Sequence, residues 1–130
     1  GAPGAGAVIR LAAWPNPGDR FTEFYVLDSG GRAENYPREF MLGESGRVIV
    51  GITNQEYQPT TYRLDITVDG EKVKAVGPIV LQHTEKREQA VDWTPTRPGN
   101  RQEVDFLLYK DSEIQPYRAL RLWVDVKGGP

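Results

Sequence analysis

Thr60-Thr61-Tyr62-Arg63-Leu64-Asp65-Ile66-Thr67-Val68-Asp69-Gly70-Glu71-Lys72-Val73 decides the fold. Tyr62, Leu64, Ile66 and Val68 alternate with Thr61, Arg63, Asp65 and Thr67. A period of two turns one set toward a core and the other toward water, which describes a half-buried strand. Asp69-Gly70 follows at once, and Lys72 to Val76 reads as the return strand. Asp-Gly between two such runs predicts a tight hairpin, because a type I′ turn needs positive φ at both central residues.

The same signal recurs on both sides. Toward the N-terminus, Arg47 to Asn54 carries Val48, Val50 and Ile52 on one face, and Phe21 to Asp28 is rich in aromatic and β-branched residues. Val8 to Ala13 is short and apolar, and Trp14-Pro15-Asn16-Pro17-Gly18 stops it. Toward the C-terminus, Gly77-Pro78 is expected to break the return strand and Ile79-Val80-Leu81 to begin the next. Val91 and Trp93 share a face, then Thr94 to Asn100 reads as a loop. Val104, Phe106 and Leu108 point inward from one strand, and Leu120, Leu122, Val124 and Val126 from another. Arg32 to Arg38 and Glu85 to Ala90 contain helix-forming residues but no apolar stripe of period 3.6. Seven to nine short strands with turn signals between them predict an all-β fold, an immunoglobulin-like antiparallel β-sandwich. With no Cys, the chain falls among the cysteine-free sandwiches. Residues 1–7 read as a flexible lead-in or an expression remnant, 8–127 as one sandwich domain, and 128–130 as a tail.

Composition removes whole classes of function. The 130 residues suit one domain, and 16 Lys and Arg against 18 Asp and Glu leave a net charge of −2. No basic field is available to hold nucleic acid. The absence of Cys excludes disulfides, thiolate metal sites and cysteine nucleophiles. A single histidine, His83, cannot build a multi-histidine centre. No cofactor and no metal are expected, and no catalytic residue is assigned.

Four constellations bear on chemistry. Asp28-Ser29-Gly30 at a strand end has the form of an aspartic-protease signature, in which two aspartates share a proton. Ile49-Val50-Gly51 follows too closely to be the partner segment of such enzymes, and the same three residues are ordinary turn formers. Ser29, Ser45 and Ser112 stand outside any nucleophile-elbow spacing, so His83 lacks a triad partner. Asp65, Asp69, Asp92 and Asp125 are scattered singly, and Asp111-Ser112-Glu113 is a weak candidate for calcium. The aromatics are the better lead. Trp123 falls on the polar face of its strand beside Arg121 and Asp125, where a ring can stack on a sugar or anchor a protein. The candidate contact residues are Trp123, Arg121, Trp14 and Tyr57. The alternative is that a loop, such as the one holding Trp14, covers this face.

Several segments taken together resemble a known family. They are Trp14-Pro15-Asn16-Pro17-Gly18-Asp19-Arg20-Phe21-Thr22-Glu23-Phe24-Tyr25-Val26-Leu27, Tyr36-Pro37, Gly43-Glu44, Val48-Ile49-Val50-Gly51-Ile52-Thr53-Asn54-Gln55-Glu56-Tyr57 and Thr61-Tyr62-Arg63-Leu64. Phe106-Leu107-Leu108-Tyr109-Lys110 and Pro116-Tyr117-Arg118-Ala119-Leu120-Arg121-Leu122-Trp123-Val124-Asp125-Val126 complete the set. The chain is similar to domain-of-unknown-function family 1616, over about Val8 to Lys127. In that family transmembrane helices precede a soluble C-terminal portion. The resemblance therefore implies an ectodomain on the extracytoplasmic face of a membrane, and it supplies no catalytic residues. A looser likeness, to adhesion-type surface modules, rests on Gly51-Ile52-Thr53-Asn54, Asp69-Gly70 and Val91-Asp92-Trp93-Thr94-Pro95 before Pro98-Gly99. The adhesion likeness bears on fold more than on function, and a sandwich fold alone assigns no function. The expected role is a non-catalytic module that contacts a protein partner or its own transmembrane region. The alternative is a carbohydrate-binding module for envelope polysaccharide, and a distant third is a protease using Asp28.

Overall fold

The computed structural model describes residues 18–128. The expected strand at 8–13 and the candidate Trp14 lie outside the described residues. Eight strands run in order: β1 (Phe21–Leu27), β2 (Glu39–Met41), β3 (Gly46–Gln55), β4 (Thr60–Val68), β5 (Glu71–Leu81), β6 (Lys86–Trp93), β7 (Gly99–Lys110) and β8 (Arg118–Lys127). They form two sheets, β1-β3-β6 and β2-β8-β7-β4-β5. All pairings are antiparallel except that of the short β2 with β8, which is parallel. The result is an all-β, immunoglobulin-like sandwich of eight strands.

Alternation dictates the core. On β4, Tyr62, Leu64, Ile66 and Val68 are buried while the residues between them are only partly covered. From the facing sheet, Phe24, Val26, Val48, Val50, Ile52, Val91 and Trp93 meet them. Trp93 packs edge-on against Phe106, centroids 5.6 Å apart, and tilted against Phe40 at 5.9 Å. The β4–β5 turn has the required backbone: φ is 48° at Asp69 and 84° at Gly70. The Asp69 carboxylate also accepts the Glu103 N–H at 2.8 Å, which ties the hairpin to β7.

One expectation about strands is corrected, and one strand was not expected. Gly77-Pro78 does not end the return strand. β5 continues through it to Leu81, and Tyr62 pairs with Ile79 while Leu64 pairs with Val76, so the extra residue forms a bulge. Proline is tolerated because β5 is the edge of its sheet, where a missing N–H interrupts no ladder on the open side. The other difference is β2. It has three residues, of which only Phe40 is buried, too few to show any period.

The segment from β1 to β2 crosses between the sheets, and Asp28 shapes that crossing. Its Oδ1 accepts the N–H groups of Gly30 (2.9 Å) and Arg32 (3.0 Å), and its Oδ2 accepts that of Asn35 (2.8 Å). The Tyr36 hydroxyl then donates to the Val26 carbonyl at 2.9 Å, pinning the crossing to β1.

Candidate functional site

Trp123 lies midway along β8 on the outer face of the five-stranded sheet, because its neighbours Leu122 and Val124 take the core side. It is 38% exposed, large for a tryptophan within a strand. Two guanidinium groups flank its ring, Arg101 at 5.7 Å and Arg121 at 5.8 Å from the centroid. They stand in different electrostatic surroundings. Arg121 Nε donates to Asp105 at 2.7 Å, and its Nη2 lies 3.2 Å from Glu103. The hydrogen bond to Asp105 and that carboxylate's charge raise the Arg121 pKa. Asp105 also pushes the Glu103 carboxyl up, an effect that Arg121 offsets only in part. Arg101 pairs with no carboxylate among the described residues.

Arg101 reaches the ring through an irregularity of β7. Gly99 pairs with Val126 and Gln102 with Val124, so two residues of β7, Asn100 and Arg101, stand opposite one of β8, Asp125. Arg101 sits there with φ 52°, in the left-handed region that a long side chain enters at a cost. Its N–H donates to Asp125 Oδ1 at 2.7 Å, which holds the conformation. Asp125 in turn donates its N–H to the Arg38 carbonyl at 2.7 Å, drawing the end of the β1–β2 crossing beside Trp123. The outcome is a cleft of about 170 Å³ walled by Tyr36, Pro37, Arg38, Arg101, Trp123 and Asp125.

Tyr57 is not part of this cleft. It occupies the β3–β4 turn, at the pole where β8 begins, with φ 62° and half of its surface exposed. Its ring stacks on His83 at 4.2 Å, and its N–H donates to His83 Nδ1 at 3.1 Å. Beneath it lies a polar network that sequence reading did not find. Glu56 is buried; its Oε2 accepts the hydroxyls of Thr22 and Tyr117, each at 2.7 Å, and its Oε1 is 3.6 Å from Lys110 Nζ. The Thr22 and Tyr62 hydroxyls share a further bond at 2.7 Å. The Tyr117 ring lies between Lys110 (3.9 Å) and Arg118 (4.2 Å). Burial, with the bond to Glu56, pushes the Tyr117 hydroxyl up to about 12, and burial raises Tyr62 as well.

The other candidates resolve as turn chemistry. Both Asp28 oxygens are engaged by backbone N–H groups, and those bonds hold its carboxyl below the usual aspartate value. Ser45 Oγ shares a 2.7 Å bond with Thr94, far from His83 in the chain. Among the described residues no group of three or more acidic or histidine side chains could hold a metal. Arg101, Arg38 and Tyr36 were not among the contact residues expected from the sequence. Only the Pro98-Gly99-Asn100 run hinted that β7 begins irregularly.

Fold and surface together define a cysteine-free, immunoglobulin-like sandwich module with one aromatic cleft on an outer sheet face. The chain belongs to the family described as domain of unknown function (DUF1616), which matches residues 15–125. A comparison with curated proteins finds no match. Among solved structures, the chain is similar to the CARDB domain of the PF1109 protein from Pyrococcus furiosus, crystallised with di-metal ions. The TM-score is 0.56 at 14% identity, over 85% of this chain and 98% of that one. It is also similar to the C-terminal domain of wzt, with TM-score 0.53 and 8% identity over 88% and 81% of the two chains. A β-glucosidase from Listeria innocua matches with TM-score 0.51 and 20% identity, over 84% of this chain but only 16% of the enzyme. At these identities the likeness is one of fold alone.

Proposed function

We propose that this domain is a non-catalytic module of a membrane-anchored protein, placed on the extracytoplasmic face, that docks a protein partner or its own chain's membrane region by strand addition. The observation that carries this reading is that β1 is an edge of its sheet among the described residues. The other edges are protected. β6 carries Lys86, Arg87, Glu88 and Asp92, β5 carries a bulge with Glu71, Lys72 and Lys74, and β2 has three residues. β1 has seven residues in unbroken register with β3, and Glu23 is its only charge. Half-buried Leu27, with Ile49 opposite it on β3, offers apolar surface near that edge, while the Tyr25 ring lies over Gly51 of β3 and its hydroxyl bonds Glu88 of β6. An incoming strand would gain main-chain hydrogen bonds there and side-chain contacts on this face.

The test places a photo-cross-linking residue at Glu23 of the full-length protein in its native membrane, with position 123 as the comparison. Adducts at 23 support docking at β1, and their mass distinguishes a second polypeptide from the chain's own membrane region. Adducts confined to 123 sink the strand-addition reading. A second reading, a carbohydrate-binding module, is favoured by the exposed Trp123 ring and its cleft.

A further inference from the structure

Resting on that second reading, we propose that the Trp123 cleft recognises an acidic saccharide, one whose ring stacks beside Trp123 and whose carboxylate or phosphate pairs with Arg101. The cleft is smaller than the roughly 300–1,000 Å³ of sites that enclose a whole drug-sized ligand. It suits one ring of a longer chain that continues across the surface.

Charge selects the kind of ring. The Arg101 guanidinium and the Asp125 carboxylate both line the cleft. The Asp125 Oδ1 already accepts the Arg101 N–H. Arg121, on the other side of Trp123, has its charge met by Asp105 and Glu103. Of the two guanidinium groups flanking Trp123, Arg101 is therefore the one with no carboxylate partner among the described residues, and a guanidinium can grip carboxylate or phosphate through two parallel N–H bonds.

The backbone argues in the same direction. A bulge can re-aim a side chain, and bulges are over-represented at sheet edges and next to active sites. Here it forces Arg101 to φ 52°, where glycine or asparagine would be easier, and in that conformation the guanidinium lies beside Trp123. Neither the core nor the hairpins need an arginine at this position.

The experiment titrates the folded domain with a galacturonic-acid trisaccharide, a sugar phosphate and the neutral trisaccharide cellotriose, following binding calorimetrically at low and high salt. Variants R101G and W123F are run in parallel. R101G removes the guanidinium while easing the left-handed backbone, so it keeps the fold. The expected result is that one or both acidic ligands bind and cellotriose does not. R101G and added salt should each weaken binding about tenfold or more, and W123F should weaken it too. The arm that responds identifies the anion as carboxylate or phosphate. Equal binding of cellotriose, or R101G binding like the parent, overturns the acidic preference while leaving the saccharide reading standing. No binding by any of the three overturns both.

Discussion

The two ends of the polar chemistry in this sandwich are built on opposite plans. At the Glu56 pole, every group faces a partner: Thr22, Tyr117 and Lys110 converge on one buried carboxylate. At the Trp123 cleft, the ring is exposed, the backbone beneath it is strained, and the Arg101 guanidinium forms no ion pair among the described residues. A satisfied buried network rigidifies the fold but has no capacity left for a ligand. An unsatisfied surface cluster contributes little to stability and keeps that capacity. Polar residues of similar kinds are therefore structural at one site and available at the other, and substitutions should separate the two.

The largest effect belongs to the buried pole. Glu56→Ala would leave Lys110 without its counter-ion and two hydroxyls without an acceptor. The expected loss is about 3 kcal/mol of unfolding free energy, read from urea denaturation. Glu56→Ala as stable as the parent would break the comparison at its root.

This pole was invisible in the sequence, for a physical reason. Glu56 meets Thr22 and Tyr117 across 34 and 61 residues, and no local period encodes such a meeting. What is local was legible. The alternation at Tyr62 to Val68 and the Asp69-Gly70 turn gave β4 and its hairpin correctly, and strand parity alone placed Trp123 outward. Pro78 was misread because a proline ends a central strand but not an edge strand, and edge position depends on the whole sheet order. Arg101 was missed because a bulge, which pairing creates, sets where its side chain goes.

The next effect tests whether the cleft depends on the crossing that walls it. Asp28→Asn keeps the size of the side chain, but one of its acceptor oxygens becomes a donor facing the Gly30 and Arg32 or the Asn35 N–H. Thermal stability should drop at neutral pH, and Tyr36 and Arg38 should shift beside Trp123 in amide spectra. The Asp28 carboxyl is held below its usual value of 3.8 in the fold. Its contribution is therefore present above that value and lost as pH falls through the depressed one. The gap between parent and variant should close in acid and stay open at neutral pH. A gap independent of pH would mean that the charge is irrelevant to the turn.

A smaller effect returns to the buried pole. Tyr117→Phe removes one hydroxyl from Glu56 and should cost about 1 kcal/mol at neutral pH. The parent hydroxyl titrates at about 12 in the fold against 10.0 when unfolded. A raised value contributes stability below the unfolded one, and that contribution is lost as pH rises from there through the folded one. Between about pH 10 and 12 the parent should weaken faster than the variant, so their difference narrows.

The smallest effect on stability is expected where the effect on binding is largest. Arg101→Gly deletes a surface guanidinium that lies 5.7 Å from the Trp123 ring, and it relieves φ 52° at a position glycine adopts freely. Against that relief stands the extra freedom glycine gives the unfolded chain, roughly 0.5–1 kcal/mol. The two terms nearly cancel, so the midpoint in urea should stay within about 0.5 kcal/mol of the parent. A clear loss of stability would mean that Arg101 holds the bulge in place, and the cleft would then be structural like the Glu56 pole. Unchanged stability means that the strain at Arg101 does nothing for the fold. Its remaining role is to hold a cation beside an exposed tryptophan.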